Sequence, residues 1–142
     1  MNTNQQFSVS IHVLTLLAAM PDQLLTSEQI SESVNTNPVV IRRVMGHLRE
    51  HGLVESRPGA SGGWKLSRAP EEIHLCSVYD AFSHDDLLGM HRHPNADCPI
   101  GAKITPVLEK VFSQAEKAMH DALSGFTVKD VLLEVTSKQV DK

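Results

Sequence analysis

Cysteine is scarce in this chain. Two residues out of 142, Cys76 and Cys98, are too few for the cross-linked framework of a small secreted domain, and both are expected to be reduced. Aromatic residues are equally sparse, with one Trp, one Tyr and four Phe, so any core has to be built from aliphatic side chains. No apolar run approaches the ~20 residues that cross a bilayer. No basic stretch followed by an apolar one opens the chain, so a cytoplasmic protein without membrane contact is expected. Internal repeats and low-complexity tracts are missing as well. There is no surplus of positive charge: the net charge is −4, which argues against indiscriminate binding to nucleic acid.

What charge there is lies unevenly. Residues 1–35 carry three acids and no Lys or Arg, and residues 69–142 are acidic by five charges. Between them, residues 36–68 hold Arg42, Arg43, Arg49, Arg57, Lys65 and Arg68 against Glu50 and Glu55, a balance of +4. A local basic patch on an acidic protein suits contact with phosphates at that patch and repulsion elsewhere.

The basic stretch coincides with the most readable pattern in the chain. Thr26 stands three residues before Gln29, the spacing of a reciprocal helix cap, and Ile30 and Val34 give the following helix an apolar face. Asn35-Thr36-Asn37 is a polar turn. Asn37 then serves as an N-cap, and Pro38 fits the first helical position, where a missing N–H costs nothing. Ile41, Val44, Met45 and Leu48 recur at helical spacing as a buried stripe, and Gly52 ends the helix. Leu53–Ser56 and Trp64–Leu66 read as two short strands around a Gly-rich turn, with Trp64 and Leu66 on one side and Lys65 on the other. Helix, turn, helix and ribbon in this order make a winged helix-turn-helix, in which the second helix enters a groove of DNA.

That reading assigns a set of contacts. Asn37, Pro38, Val39, Val40, Arg42 and Arg43 at the start of the second helix, with His47 farther along it, are candidates for reading base edges. An arginine fork matches guanine or clamps phosphate, and a valine can meet a thymine methyl. Thr26 and Ser27 can hold phosphate through hydroxyl and free N–H groups. Arg57, Ser61, Gly62, Gly63 and Lys65 of the wing should approach the minor groove or the backbone.

Around this unit the chain is mostly α-helical. Phe7, Ile11, Leu14 and Ala18 mark a helix over residues 6–20 with a wide apolar face, ended by Pro21. Pro70 opens another helix, bearing Ile73, Leu75, Val78, Tyr79 and Phe82. Residues 84–99 lack periodicity and read as a loop. From Ile100 to about Ser124 the longest helix carries Ile104, Leu108, Val111, Ala115, Ala118 and Ala122 in a heptad-like seam suited to pairing with a second copy. A short helix from Thr127 to about Val135 ends the pattern. The expected organisation is a winged helix-turn-helix domain over 1–83, a sensor loop over 84–99, and a dimerisation helix with a C-terminal helix over 100–142.

The run LREHGLVESRPGASGGWKLSRAPEEIHLCSVYDAF resembles the Rrf2 family of bacterial transcriptional regulators, and the resemblance covers nearly the whole chain. It implies a winged-helix domain, a long dimerisation helix, and a homodimer on double-stranded DNA at a roughly palindromic operator, with repression as the expected output. Many members have Arg-Gly in the wing where this chain has Pro58-Gly59, which leaves Arg57, one place earlier, as the candidate for that groove contact. Many also carry Asp where Ser77 stands.

Iron–sulfur members of the family carry three cysteines in the loop before the long helix. Here that loop holds Cys98 alone, so three thiolates cannot be assembled from it and no cofactor is expected. His84, Asp85, Asp86, His91 and His93 share the loop, and family members sometimes borrow a ligand from the first helix, where His12 sits. A His/Asp/Cys metal site stands against a plain polar loop, and no spacing here matches a known ligand motif. Cys98 itself reads two ways. Ahead of Pro99 at a helix start, the thiol would be stabilised as thiolate and open to oxidation; alternatively it is a small inert hydrophobe. Cys76, on an apolar face, reads as core, and a Cys76–Cys98 bridge is open. Cys98 beside a histidine lacks any orienting third group or oxyanion motif, so an enzyme is not expected.

Overall fold

The computed structural model describes residues 3–82 and 88–137. Helix α1 spans Thr3–Ala19 and runs through the centre of the molecule. Val13, Leu14, Leu17 and Ala18 are buried, together with Ser10 and Thr15. These two hydroxyls are tolerated inside because each donates to a carbonyl one turn back, Ser10 to Gln6 at 2.6 Å and Thr15 to Ile11 at 2.7 Å.

Helix α2, Ser27–Val34, begins at the capping box expected from the sequence. The Thr26 hydroxyl accepts from Gln29 N at 3.1 Å, and the Gln29 side chain accepts from Thr26 N at 2.9 Å. Asn35 closes it in the left-handed region at φ 64, a conformation asparagine tolerates better than most residues. Helix α3, Pro38–Glu50, starts at Asn37, whose Oδ1 accepts from Val39 N at 2.8 Å. Its stripe of Ile41, Val44, Met45 and Leu48 is fully buried. It stops in a Schellman turn: Gly52 N donates to Arg49 O and Leu53 N to Leu48 O, both at 3.0 Å, with Gly52 at φ 74.

Strands β1, Val54–Arg57, and β2, Gly63–Leu66, form the antiparallel wing. Its register pairs Val54 with Leu66, Glu55 with Lys65 and Ser56 with Trp64. The wing is tied to the segment ahead of α2 by two backbone bonds, Trp64 N to Leu25 O at 2.8 Å and Leu25 N to Trp64 O at 3.1 Å. Glycine is required at position 63. Its φ is +153, and a Cβ there would lie 2.7 Å from the Leu25 carbonyl oxygen.

Beyond the wing the chain departs from expectation. In place of one helix from Pro70, a 3-10 turn at Pro70–Glu72 is followed by helix α4, Leu75–Asp80. Ile73 and His74 between them are extended. The break is held by distant backbone: Val128 N donates to Ile73 O, and Leu75 N to Phe126 O, each at 2.9 Å. Helix α5 covers Ile104–Leu123 and so starts four residues later than Ile100. Residues 95–103 are instead wound into turns by Cys98 N to Asn95 O, Ala102 N to Cys98 O and Lys103 N to Ile100 O. Helix α6, Val128–Val135, opens with a second capping box, Thr127 with Asp130.

One core joins α1, α2, α3, the wing, α4 and α6. Val128 of α6 is fully buried in it, and α6 packs along α1. By contrast α5 has no buried residue. It touches α4, where His120 Nε2 lies 3.1 Å from both carboxylate oxygens of Asp80.

Candidate nucleic-acid interface

The burial of α3 sorts its candidate contacts. With Ile41, Val44, Met45 and Leu48 turned inward, the opposite face presents Val39, Arg42 and Arg43. Val39 is 57% exposed, a cost in apolar hydration that nothing within the described chain offsets. Val40 is half-buried against the core, so of the two valines only Val39 is presented outward. Arg42 reaches back to α2, with its guanidinium 3.3 Å from Glu28 Oε2. Arg43 is exposed and makes no ion pair among the described residues. Asn37 is exposed, with its Oδ1 committed to the cap, while Pro38 is half-buried.

Two expected contacts face elsewhere. Ser27 is 9% exposed, and its hydroxyl accepts the Trp64 indole N–H at 3.2 Å, so its side chain latches α2 to the wing and is not held out for phosphate. His47 is half-buried, with its ring edge-on to Phe82 at 5.2 Å between centroids. The helical period carries it off the exposed face and onto the flank that meets the core.

The wing is braced from both helices. Besides the Ser27 bond, Trp64 carries the Arg49 guanidinium over its ring at 5.4 Å, and Arg49 also bonds Ser56 Oγ at 3.3 Å. In the sequence Arg49 is simply one of the bases of residues 36–68; its cation–π role depends on which tertiary neighbour it meets. Lys65 pairs across the strands with Glu55 at 3.2 Å, as their opposed register allows. Arg57 and Ser61 are exposed. Arg57, Ser61 and Lys65 share a groove of about 400 Å³ with Asp22, Gln23 and Leu24 from the turn ahead of α2. The wing thus contributes cations to a concave surface, and Asp22 sets an acidic limit on one side. Gln23 and Leu24 were not identifiable from sequence, because the turn meets the wing only through tertiary contact.

In the sensor loop, Cys98 does not stand at a helix start as the sequence suggested. It heads a single turn, six residues before α5. The electrostatic consequence survives the change of setting. The backbone N–H of Gly101, and after it that of Ile100, point at the sulfur and hold the thiol below the ordinary cysteine value, with a small opposing effect of burial. Both Cys98 and Cys76 are free and partly exposed. His91 and His93 are exposed. His12 Nε2 lies 2.9 Å from Ser33 Oγ. Among the described residues no three His, Cys, Asp or Glu side chains gather closely enough to share a metal ion; His84, Asp85 and Asp86 lie outside the described residues.

The seam on α5 is open. Ile104 and Leu108 are half-buried, while Val111, Ala115, Ala118 and Ala122 are exposed. Val107, adjacent to that seam, is 58% exposed and Val111 51%.

A winged helix-turn-helix carrying exposed arginines on the outer face of α3 is therefore joined to an exposed apolar helix. The profile of the Rrf2 family, described as iron-dependent transcriptional regulator, matches residues 3–134. The chain belongs to the Rrf2 family. A candidate HTH-type transcriptional regulator of Bacillus subtilis, YwnA, is 38% identical over 130 residues, covering 91% of this chain and 96% of YwnA. The crystal structure of a candidate transcriptional regulator from Lactobacillus plantarum superimposes with a TM-score of 0.81 at 26% identity, over 94% of this chain and 91% of that one. CymR of B. subtilis, the global cysteine regulator, shares the fold with a TM-score of 0.69 at 17% identity, over 93% and 95% of the two chains. Rrf2 proteins are transcriptional regulators and not enzymes. No helix among the described residues is long and apolar enough to cross a membrane.

The family description names iron, so the donor set bears on this Rrf2 chain directly. Its two cysteines sit on α4 and in the loop. Cys98 is the one cysteine of that loop, so the loop supplies a single thiolate. A cluster held by three loop thiolates does not fit these residues.

Proposed function

We propose that this Rrf2 protein is a cytoplasmic homodimeric repressor that reads a roughly palindromic operator with α3 and releases it when Cys98 is oxidised. The outward face of α3 carries the reading: Val39 and Arg43 are exposed, Arg43 makes no ion pair among the described residues, and Arg42 sits beside them. The wing, locked to α2 and α3 through Trp64, brings Arg57 and Lys65 alongside as backbone contacts. Pairing along α5 through Ile104, Leu108, Val111, Ala115, Ala118 and Ala122 presents two copies of α3 to successive turns of the major groove, and occupation of the operator blocks transcription.

The signal arm rests on Cys98. A thiolate favoured by two backbone N–H groups attacks the terminal oxygen of a hydroperoxide; the S–O bond forms as the O–O bond breaks, giving sulfenic acid, and the departing hydroxide or alkoxide takes a proton from solvent. The loop that carries Cys98 runs into α5 and is fastened to it through Leu88 N to Glu116 at 3.4 Å, so modification there bears on the helix that sets the spacing of the two reading heads.

The test is titration of a fluorescent fragment of the gene's own promoter with reduced protein, with peroxide-treated protein, and with Cys98→Ser. Reduced protein binds, peroxide lowers affinity, and the serine variant binds regardless of treatment. A variant that responds to peroxide as the parent does removes Cys98 from the mechanism. Absence of any shift by the reduced parent at low salt overturns the DNA reading itself.

A further inference from the structure

Glycine is among the poorest residues for a helix interior, because it surrenders the most backbone freedom on folding. Gly46 nevertheless sits in the middle of the 13-residue α3. The described fold does not ask for it: among the described residues, a Cβ built at Gly46 meets nothing within 4 Å. Its backbone is ordinary helix, so no positive φ requires it either. Gly52 and Gly63 differ in this respect, since each has a positive φ within the protein.

Position fills the gap. Gly46 lies three, four and seven residues after Arg43, Arg42 and Val39, the spacing that stacks side chains along one face of a helix. That face is the one turned away from the core. The missing side chain therefore leaves a notch one turn beyond the two arginines, on the side of α3 presented to a partner.

We propose that Gly46 is the point of closest approach between α3 and duplex DNA, where the helix backbone rests against the wall of the major groove. This rests on the reading of α3 as the recognition helix. The notch sets how deeply the helix seats, and so which bases Val39, Arg42 and Arg43 reach. A methyl group there would fold without strain but would hold the helix off the groove. Gly46 is in this sense a positioning residue: it acts through the depth at which its neighbours meet the bases.

The opposed signs make the test sharp. Gly46→Ala should raise the melting temperature of the free protein by about 3 °C, as expected for removing a glycine from a helix interior in a chain of this size. It should at the same time weaken binding to the native promoter fragment by about tenfold or more, and Gly46→Leu should weaken it further. Preference for that fragment over a scrambled duplex should fall as well, since base contacts are lost before phosphate contacts. A Gly46→Ala protein that is stabilised yet binds as tightly and selectively as the parent overturns the proposal. So does one that is destabilised, because the space around Gly46 would then be needed by the fold. If the parent itself ignores promoter DNA, the reading of α3 falls, and Gly46 with it; that outcome is visible before any variant is made.

Discussion

The bond between the Trp64 indole and Ser27 is the latch that holds the wing against α2, and its strength can be isolated. A neutral hydrogen bond contributes about 1 kcal/mol net. This one is partly buried, at 3.2 Å, so water replaces only some of it when Ser27 becomes Ala. Alanine also gains a few tenths of a kcal/mol of helix propensity in the first turn of α2. The single variant should therefore lose only about 0.5–1 kcal/mol. A double-mutant cycle with Trp64→Phe cancels the propensity term. Phenylalanine keeps a ring beneath Arg49 and removes the N–H, so the coupling energy should come out at about 1 kcal/mol. Urea unfolding followed by far-ultraviolet circular dichroism gives all four corners, at fixed protomer concentration because pairing shifts apparent stability. Trp64 is the sole tryptophan, so its emission in Ser27→Ala reports the latch directly and should move to longer wavelength as water reaches the indole. A coupling energy below about 0.3 kcal/mol, the scatter expected for independent sites, together with unchanged emission would refute the latch.

Arg43→Ala should cost about 1–3 kcal/mol of operator affinity if the side chain reads a base, or lower the salt slope by about one if it holds phosphate. Arg42→Ala should do likewise with little change in folding stability, since its exposed pair with Glu28 is worth at most about 1 kcal/mol; affinity measured across a salt series separates the cases, and no loss in either variant counts against α3 as the reading helix. Val107→Asp with Val111→Asp should yield a monomer in sedimentation and abolish tight operator binding; a persisting dimer would place the interface elsewhere. Gly63→Ala should destabilise the fold by about 1–3 kcal/mol through its φ of +153 and the close Leu25 carbonyl, and unchanged thermal melting would contradict that geometry. For Cys98, the lowered thiol means that reactivity rises with pH and levels off at a lower pH than for an ordinary cysteine, which alkylation rates in Cys76→Ala protein would check.

Much of the architecture was written locally. Capping at Thr26 and Asn37, Pro38 at the first helical position, the buried stripe of α3 and Gly52 at its end depend on neighbours within four residues, so spacing alone determines them. The alternation of Trp64, Lys65 and Leu66 likewise set the faces of the wing, and the charge pattern singled out the segment that holds the exposed arginines. The family resemblance, carried by the run from Leu48 to Phe82, followed from the same residues.

What the chain could not declare by itself involves residues far apart in sequence. Ser27 faces inward because Trp64 arrives from 37 positions away. His47 meets Phe82, and Arg49 finds the Trp64 ring. The helix expected from Pro70 breaks at Ile73 and His74 because the segment at Phe126–Val128 claims the Ile73 carbonyl and the Leu75 N–H. The late start of α5 is a more local matter that periodicity does not report: Gly101 sits too close to the Asn95 carbonyl to admit a side chain, and the intervening residues turn instead of joining the helix. Periodicity reports which face of an element is apolar. Only the folded chain decides what that face, and the polar residues at its edges, come to touch.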